Sequence, residues 1–137
     1  MKRKGFTLTE FMVVVTIMIF LSVIAYTAYK QYLQRASAKA MQAIIYECIT
    51  GAMSMNQYTD KRVFKCEFSE QKTVKVGNTE INPPTNYVYI VLDKDGFFDG
   101  FSPNGSVDNV VDTAEFIYKT RKVYCQKQPI EKLVYCN

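Results

Sequence analysis

Glu10 is the residue of this 137-residue chain whose chemistry most needs explaining. It stands between a basic tripeptide, Lys2, Arg3 and Lys4, and the apolar run 11–25, where a membrane helix should carry no carboxylate. A charge within a spanning segment costs roughly 2.5 to 3.5 kcal/mol on insertion scales, so such a residue is a functional candidate in need of a partner. The plainer alternative is a signal anchor whose glutamate lies at the membrane interface and snorkels to water. In the first case the chemistry is charge pairing, in the second solvation, and in neither is it bond making.

The remaining reactive side chains argue against an enzyme. The chain has no histidine, which removes the usual base for a serine or cysteine nucleophile, and it has no phosphate-cradling glycine loop. Composition leaves carboxylate catalysis open. Asp93, Asp95 and Asp99 surround Gly96 as calcium ligands would, but the fifth position of that pattern is Phe97 and the twelfth is Asn104. The ligand pattern fails, so a hairpin turn with no metal is expected, with a looser calcium site as the alternative. Cys48, Cys66, Cys125 and Cys136 lack both the CxxC spacing and the histidines of a zinc site. If they lie outside the cytoplasm they read as disulfides, with three connectivities open. No cofactor is expected.

One basic stretch invites a binding reading. Lys119, Arg121, Lys122, Lys127 and Lys132 interleave with Tyr118, Tyr124 and Tyr135, opposed there only by Glu115 and Glu131. Basic and aromatic side chains together hold DNA by phosphate neutralisation and base stacking, which makes Lys119, Arg121 and Lys122 candidate DNA contacts. Alternation along a strand equally places such charges on a solvated face, and that reading is preferred.

These residues need elements to position them. Residues 6–29 would form a helix about 36 Å long, enough to span a bilayer. The basic tripeptide before it obeys the positive-inside rule and leaves the rest of the chain outside the cytoplasm. A secretory signal peptide cut after Val23-Ile24-Ala25, with the mature chain starting at Tyr26, competes with this. The unbroken helical pattern past Ala25 speaks against it. Tyr29, Leu33, Ala36, Ala40, Ile44 and Cys48 follow helical spacing, while Lys30, Gln34, Arg35, Lys39, Gln42 and Glu47 are polar. The helix therefore leaves the membrane without ending; its amphipathic continuation is expected over 30–53, stopping near Ala52.

Strands are predicted at 62–68, 72–76, 79–81, 87–92, 115–120 and 123–126. Turns are predicted at Gly77-Asn78, Asp95-Gly96 and Asn104-Gly105, and Pro83-Pro84 should separate the first hairpin from the central strands. The fold class is α+β: a long N-terminal helix, membrane-spanning in its first half, packed on a small antiparallel β-sheet head at 54–137. A head of about 85 residues outside the helix buries a modest fraction of its surface, so staples would help it.

Gly5-Phe6-Thr7-Leu8-Thr9-Glu10, with the basic tripeptide before it and the apolar run after it, resembles the type IV pilins of the short-leader kind and the related pseudopilins of type II secretion. The resemblance covers residues 1–32, with Tyr29 and Tyr32 matching the paired tyrosines near the end of the family's apolar helix. It implies that a prepilin peptidase cuts between Gly5 and Phe6, removing the leader 1–5, and N-methylates Phe6. It implies that Glu10 is the assembly glutamate. The implied function is a structural subunit that polymerises through its N-terminal helix into a surface pilus for adhesion, twitching motility or DNA uptake. The alternatives are a minor pilin that primes assembly or binds DNA, and a secretion pseudopilin. The implied partners are further copies of itself, minor pilins, the pilus assembly machinery and the inner membrane. The subunit would be stored in that membrane before export to the extracellular pilus.

Losing the leader would remove three of the 17 Lys and Arg residues and most of the net charge of +4. The freed Phe6 amine would stand about 6 Å of helix rise from the Glu10 carboxylate. A neighbouring subunit shifted along the filament could bring its own amine to this carboxylate, cancelling two expensive charges and fixing register. Some positions depart from the family pattern: Thr9 replaces the usual aliphatic residue, Ile19 a frequent glycine and Thr27 a frequent proline. With neither breaker, residues 19–27 avoid helix penalties of about 1 and 3 kcal/mol, and a straight, continuous helix is expected. Pairing of Cys48 with Cys66 would tie the helix to the first strand. Pairing of Cys125 with Cys136 would be similar to the disulfide-bounded C-terminal loop of many short-leader pilins.

Overall fold

The computed structural model describes residues 7–129 and 133–137. The chain divides into two compact units, Met1–Leu33 and Gln34–Asn137, and one helix, α1 (Leu8–Thr59), contributes to both.

In the first unit every residue from Thr7 to Tyr32 is exposed. Apolar side chains cover all sides of this stretch, among them Phe11, Met18, Phe20 and Ile24. Three of the hydroxyls that interrupt them bond to the helix's own backbone. Thr16 and Ser22 each donate to the carbonyl four residues back, at 2.8 Å, and Thr27 donates to that of Ile24 at 2.9 Å. Hydroxyls bonded to the helix's own backbone suit a hydrocarbon environment, and this helix is long and apolar enough to cross a membrane. It is unbroken through Ile19 and Thr27.

In the second unit, residues 34–59 of α1 bury Ser37, Ala38, Met41, Ile45, Ile49 and Ala52. This corrects the predicted stripe by about one position. Ile44 and Cys48 are only partly buried against the core, and Ala36 is exposed. Adjacent apolar pairs such as Ile44-Ile45 and Cys48-Ile49 make the two faces indistinguishable in sequence. The helix also passes the predicted stop near Ala52. Gly51 is an ordinary helical residue with open space around it. The stop comes at Asp60, whose φ of 55° is left-handed and whose N–H donates to the Asn56 carbonyl at 3.1 Å. Asn56 Nδ2 in turn donates to the Lys61 carbonyl at 2.7 Å. The first contact satisfies a carbonyl that a helix end would otherwise leave free, and the second fixes the chain just beyond it.

The expected single sheet is two. One has three strands in the order β1-β4-β5, the other five in the order β3-β2-β6-β7-β8. Their ranges are β1 Val63–Glu67, β2 Lys72–Val76, β3 Thr79–Thr85, β4 Tyr87–Leu92, β5 Phe98–Ser102, β6 Thr113–Tyr118, β7 Arg121–Lys127 and β8 Val134–Cys136. All pairings are antiparallel. Strands β5 and β8 were not predicted: Gly100 interrupts the apolar pattern of the first, and the second is three residues long. Pro83 and Pro84 lie inside β3 and do not precede a new strand. They are tolerated because β3 is an edge strand, where a missing N–H costs no ladder bond.

The helix and both sheets share one core. Phe68, Phe116, Phe101 and Phe98 form a chain of edge-to-face contacts with ring centroids 5.7, 6.2 and 5.4 Å apart. Ile45, Ile49, Ile90 and Leu92 are fully buried around it. Gly77, in the two-residue β2–β3 turn, has φ +61°, and a Cβ there would meet Val111 Cγ1 at 2.8 Å. Only glycine fits both that conformation and that approach.

Candidate assembly site at the helix start

The first turn of α1 is built around Thr7. Its Oγ1 accepts the backbone N–H of Glu10 at 3.1 Å, and its carbonyl accepts that of Phe11 at 2.9 Å. Thr7 is therefore the N-cap, and Glu10 is the third helical residue of a Thr-x-x-Glu capping sequence. The cap satisfies one of the donors that a helix start leaves open. Glu10 thus occupies a first-turn position, where the positive end of the helix dipole favours a carboxylate. Its side chain is exposed and forms no ion pair among the described residues. The signal for the cap in sequence is Thr7 followed three residues later by Glu10. Gly5 and Phe6, the predicted processing residues, lie outside the described residues, as do Lys2, Arg3 and Lys4.

The cysteines are joined as Cys48–Cys66 and Cys125–Cys136. The first bond ties α1 to β1. The second joins directly opposed residues of β7 and β8, so the C-terminal loop closes across a strand pair. Two glutamines of α1 hold the same strands. Gln34 Nε2 donates to the Lys122 carbonyl at 2.8 Å, and Gln42 Oε1 accepts the Cys136 N–H at 3.1 Å. In sequence both glutamines read as solvated polar positions, and nothing in their spacing marks them as anchors.

The other predicted sites resolve into structure. Asp93 Oδ1 accepts the N–H groups of Asp95 and Phe97 at 2.9 and 3.0 Å, closing the β4–β5 turn. Asp99 faces Lys127 at 3.9 Å. Among the described residues no cluster of acidic or cysteine side chains could hold a metal.

Lys119 and Thr120 form the two-residue turn between β6 and β7, both with positive φ, 46° and 72°. This is the twist that suits a tight hairpin, but neither residue is a glycine, and a β-branched threonine there is strained. Beyond the turn the strand alternates. Arg121 lies half-buried on the side of Val123 and Cys125, while Lys122 is exposed with Tyr124 and Gln126. Across that outer face Glu115 stands opposite both Lys75 and Tyr124, and Lys75 opposite Glu80. The three candidate DNA contacts therefore occupy a tip and two opposite faces, and the outer face mixes signs. Glu131 and Lys132 lie outside the described residues.

A family model described as the prokaryotic N-terminal methylation motif matches residues 1–26. No curated protein and no solved structure matches the chain. The motif supports a type IV pilin-like or pseudopilin-like precursor and implies processing by a prepilin peptidase and assembly into pilus-like polymers. Together with the apolar start of α1, it points to membrane anchoring.

Proposed function

We propose that this chain is a structural subunit of a type IV pilus-like filament, not a catalyst, and that it polymerises through the first half of α1. The observation that carries this reading is the exposure of that half on all sides, with Glu10 at its start, in a segment matched by the methylation motif. So much apolar surface must be covered by lipid in the stored subunit and by neighbouring helices in the filament, and its burial drives assembly. Glu10 selects the register: a neighbour's Phe6 amine, freed by cleavage after Gly5, cancels both charges only at one height. The leader stays on the cytoplasmic side, and the second unit ends on the extracellular face of the filament. Minor pilins and assembly motors are the partners.

The Cys125–Cys136 closure of the C-terminal hairpin favours a pilin over a secretion pseudopilin. Whether the subunit is major or minor rests on its abundance in the filament. The test is Glu10→Ala in cells. The variant should be cleaved and held in the membrane like the parent, yet be lost from filaments. Filaments of parental length and number built from it would refute the register role.

A further inference from the structure

The two glutamine contacts give the head a direction. From Gln34 to Gln42 is about 12 Å of helix rise, and from Lys122 to Cys125 is about 10 Å of strand. Gln34 holds Lys122, and Gln42 holds Cys136, the partner of Cys125. Strand β7 therefore runs along α1 in the same sense, and the β6–β7 turn lies at the end of the head where Gln34 begins it. Gln34 is five residues from Tyr29, the end of the apolar run. Gln34, which holds this end of the head, is tied to Tyr29 by a length of chain that reaches at most about 18 Å.

That end is basic. Lys119 is at the tip, and Arg121 and Lys122 follow it. Lys72 is in the same row, because Ile117 pairs with both Lys72 and Lys122. Arg35 and Lys39 are exposed on the adjoining turns of α1. None of these six forms an ion pair among the described residues. Acids also lie nearby: Glu70 is two residues before Lys72, and Glu80 and Glu115 line one pocket with Lys122. Lys119, Arg121 and Lys122 are spread over a tip and two faces, so a partner tracking one face of the sheet would meet only some of them. A plane met end-on touches side chains on every side of a strand end.

We propose that this end of the head is a docking surface for the anionic phospholipid headgroups of the membrane that stores the subunit. The contact would hold the head at the bilayer until assembly withdraws the helix. The inference rests on the membrane-stored subunit of the proposed function. Basic residues near an anionic surface each strengthen binding about fivefold at moderate salt, so three contribute on the order of 100-fold.

The test uses the full chain in lipid nanodiscs, with a dye at Thr120→Cys and an acceptor on the lipid headgroups. Energy transfer should be stronger in discs containing phosphatidylglycerol than in discs of phosphatidylcholine alone. It should fall as salt shortens the screening length from about 10 Å to about 3 Å. Lys119→Gln, Arg121→Gln and Lys122→Gln together should abolish the lipid-dependent gain, while the charge-keeping Lys119→Arg with Lys122→Arg should retain it. Equal transfer in both lipids, or a gain that survives the triple glutamine variant, would overturn the proposal. So would duplex DNA that draws the tip away from anionic discs, which would return the surface to nucleic acid. A chain that never enters discs would bring down the proposed function as well; one that enters but ignores lipid charge would remove this inference alone.

Discussion

At the scale of single residues, the proposed pairing of Glu10 with a neighbour's amine can be separated by substitution from its place in the helix start. As the third helical residue of a Thr-x-x-Glu cap it suits the helix start, a role that glutamine also fills. As the partner of a neighbour's amine it must carry charge. Glu10→Gln should therefore leave the start of α1 intact yet fail to assemble, which cryo-microscopy of shed filaments together with amide exchange over residues 8–12 would check. Recovery of normal filaments by glutamine would assign the residue to capping alone. Thr7→Val removes the hydroxyl acceptor that holds the Glu10 N–H, and loss of an N-cap costs about 1 kcal/mol. Exchange of the Glu10 amide should accelerate roughly fivefold in the detergent-solubilised chain, by conversion of that energy. Unchanged exchange would mean that the cap contributes nothing.

Residues of this kind were legible unevenly. Glu10 stood out because a charge in an apolar run breaks a strong pattern. Asp60, which ends the helix in a left-handed conformation, did not, because glycine is the expected residue there and Gly51 offered itself first.

At the scale of elements, the long helix and most strands followed from periodicity. What periodicity could not give was the rotation of residues 34–59 about their axis, since two neighbouring stripes are both apolar. Nor could it give the division into two sheets, which depends on pairings between distant strands. The disulfides act at this scale. Closing a loop across the separation of 11 residues between Cys125 and Cys136 stabilises by about 3 kcal/mol in the chain-entropy model. Cys125→Ser with Cys136→Ser should lower stability by about that amount, read from the denaturation midpoint of the solubilised chain. A change within error would mean that β8 is held by its ladder and Gln42 alone. The helix carries a second element-scale expectation. With Ile19 and Thr27 in place of glycine and proline, and the helix unbroken across them, residues 19–27 should stay helical on assembly. Filament density showing that segment extended would contradict this.

At the scale of the molecule, the two units divide the labour. Residues up to Leu33 present apolar surface with one carboxylate, and residues from Gln34 onward carry their own core of helix and sheets. A soluble protein could not leave so long an apolar helix uncovered, whereas a subunit that passes from membrane to polymer always has it covered. Charge follows the same division. The basic leader 1–5 belongs to the first unit, and the basic end of the head to the second. The most direct measurement is mass spectrometry of filaments sheared from the cell surface, quantifying this chain and reading its first residue. The chain should be found in those filaments, beginning with N-methylated Phe6. Its absence from them, or an N-terminus at Met1 or Tyr26, would contradict the claim that this is a processed filament subunit.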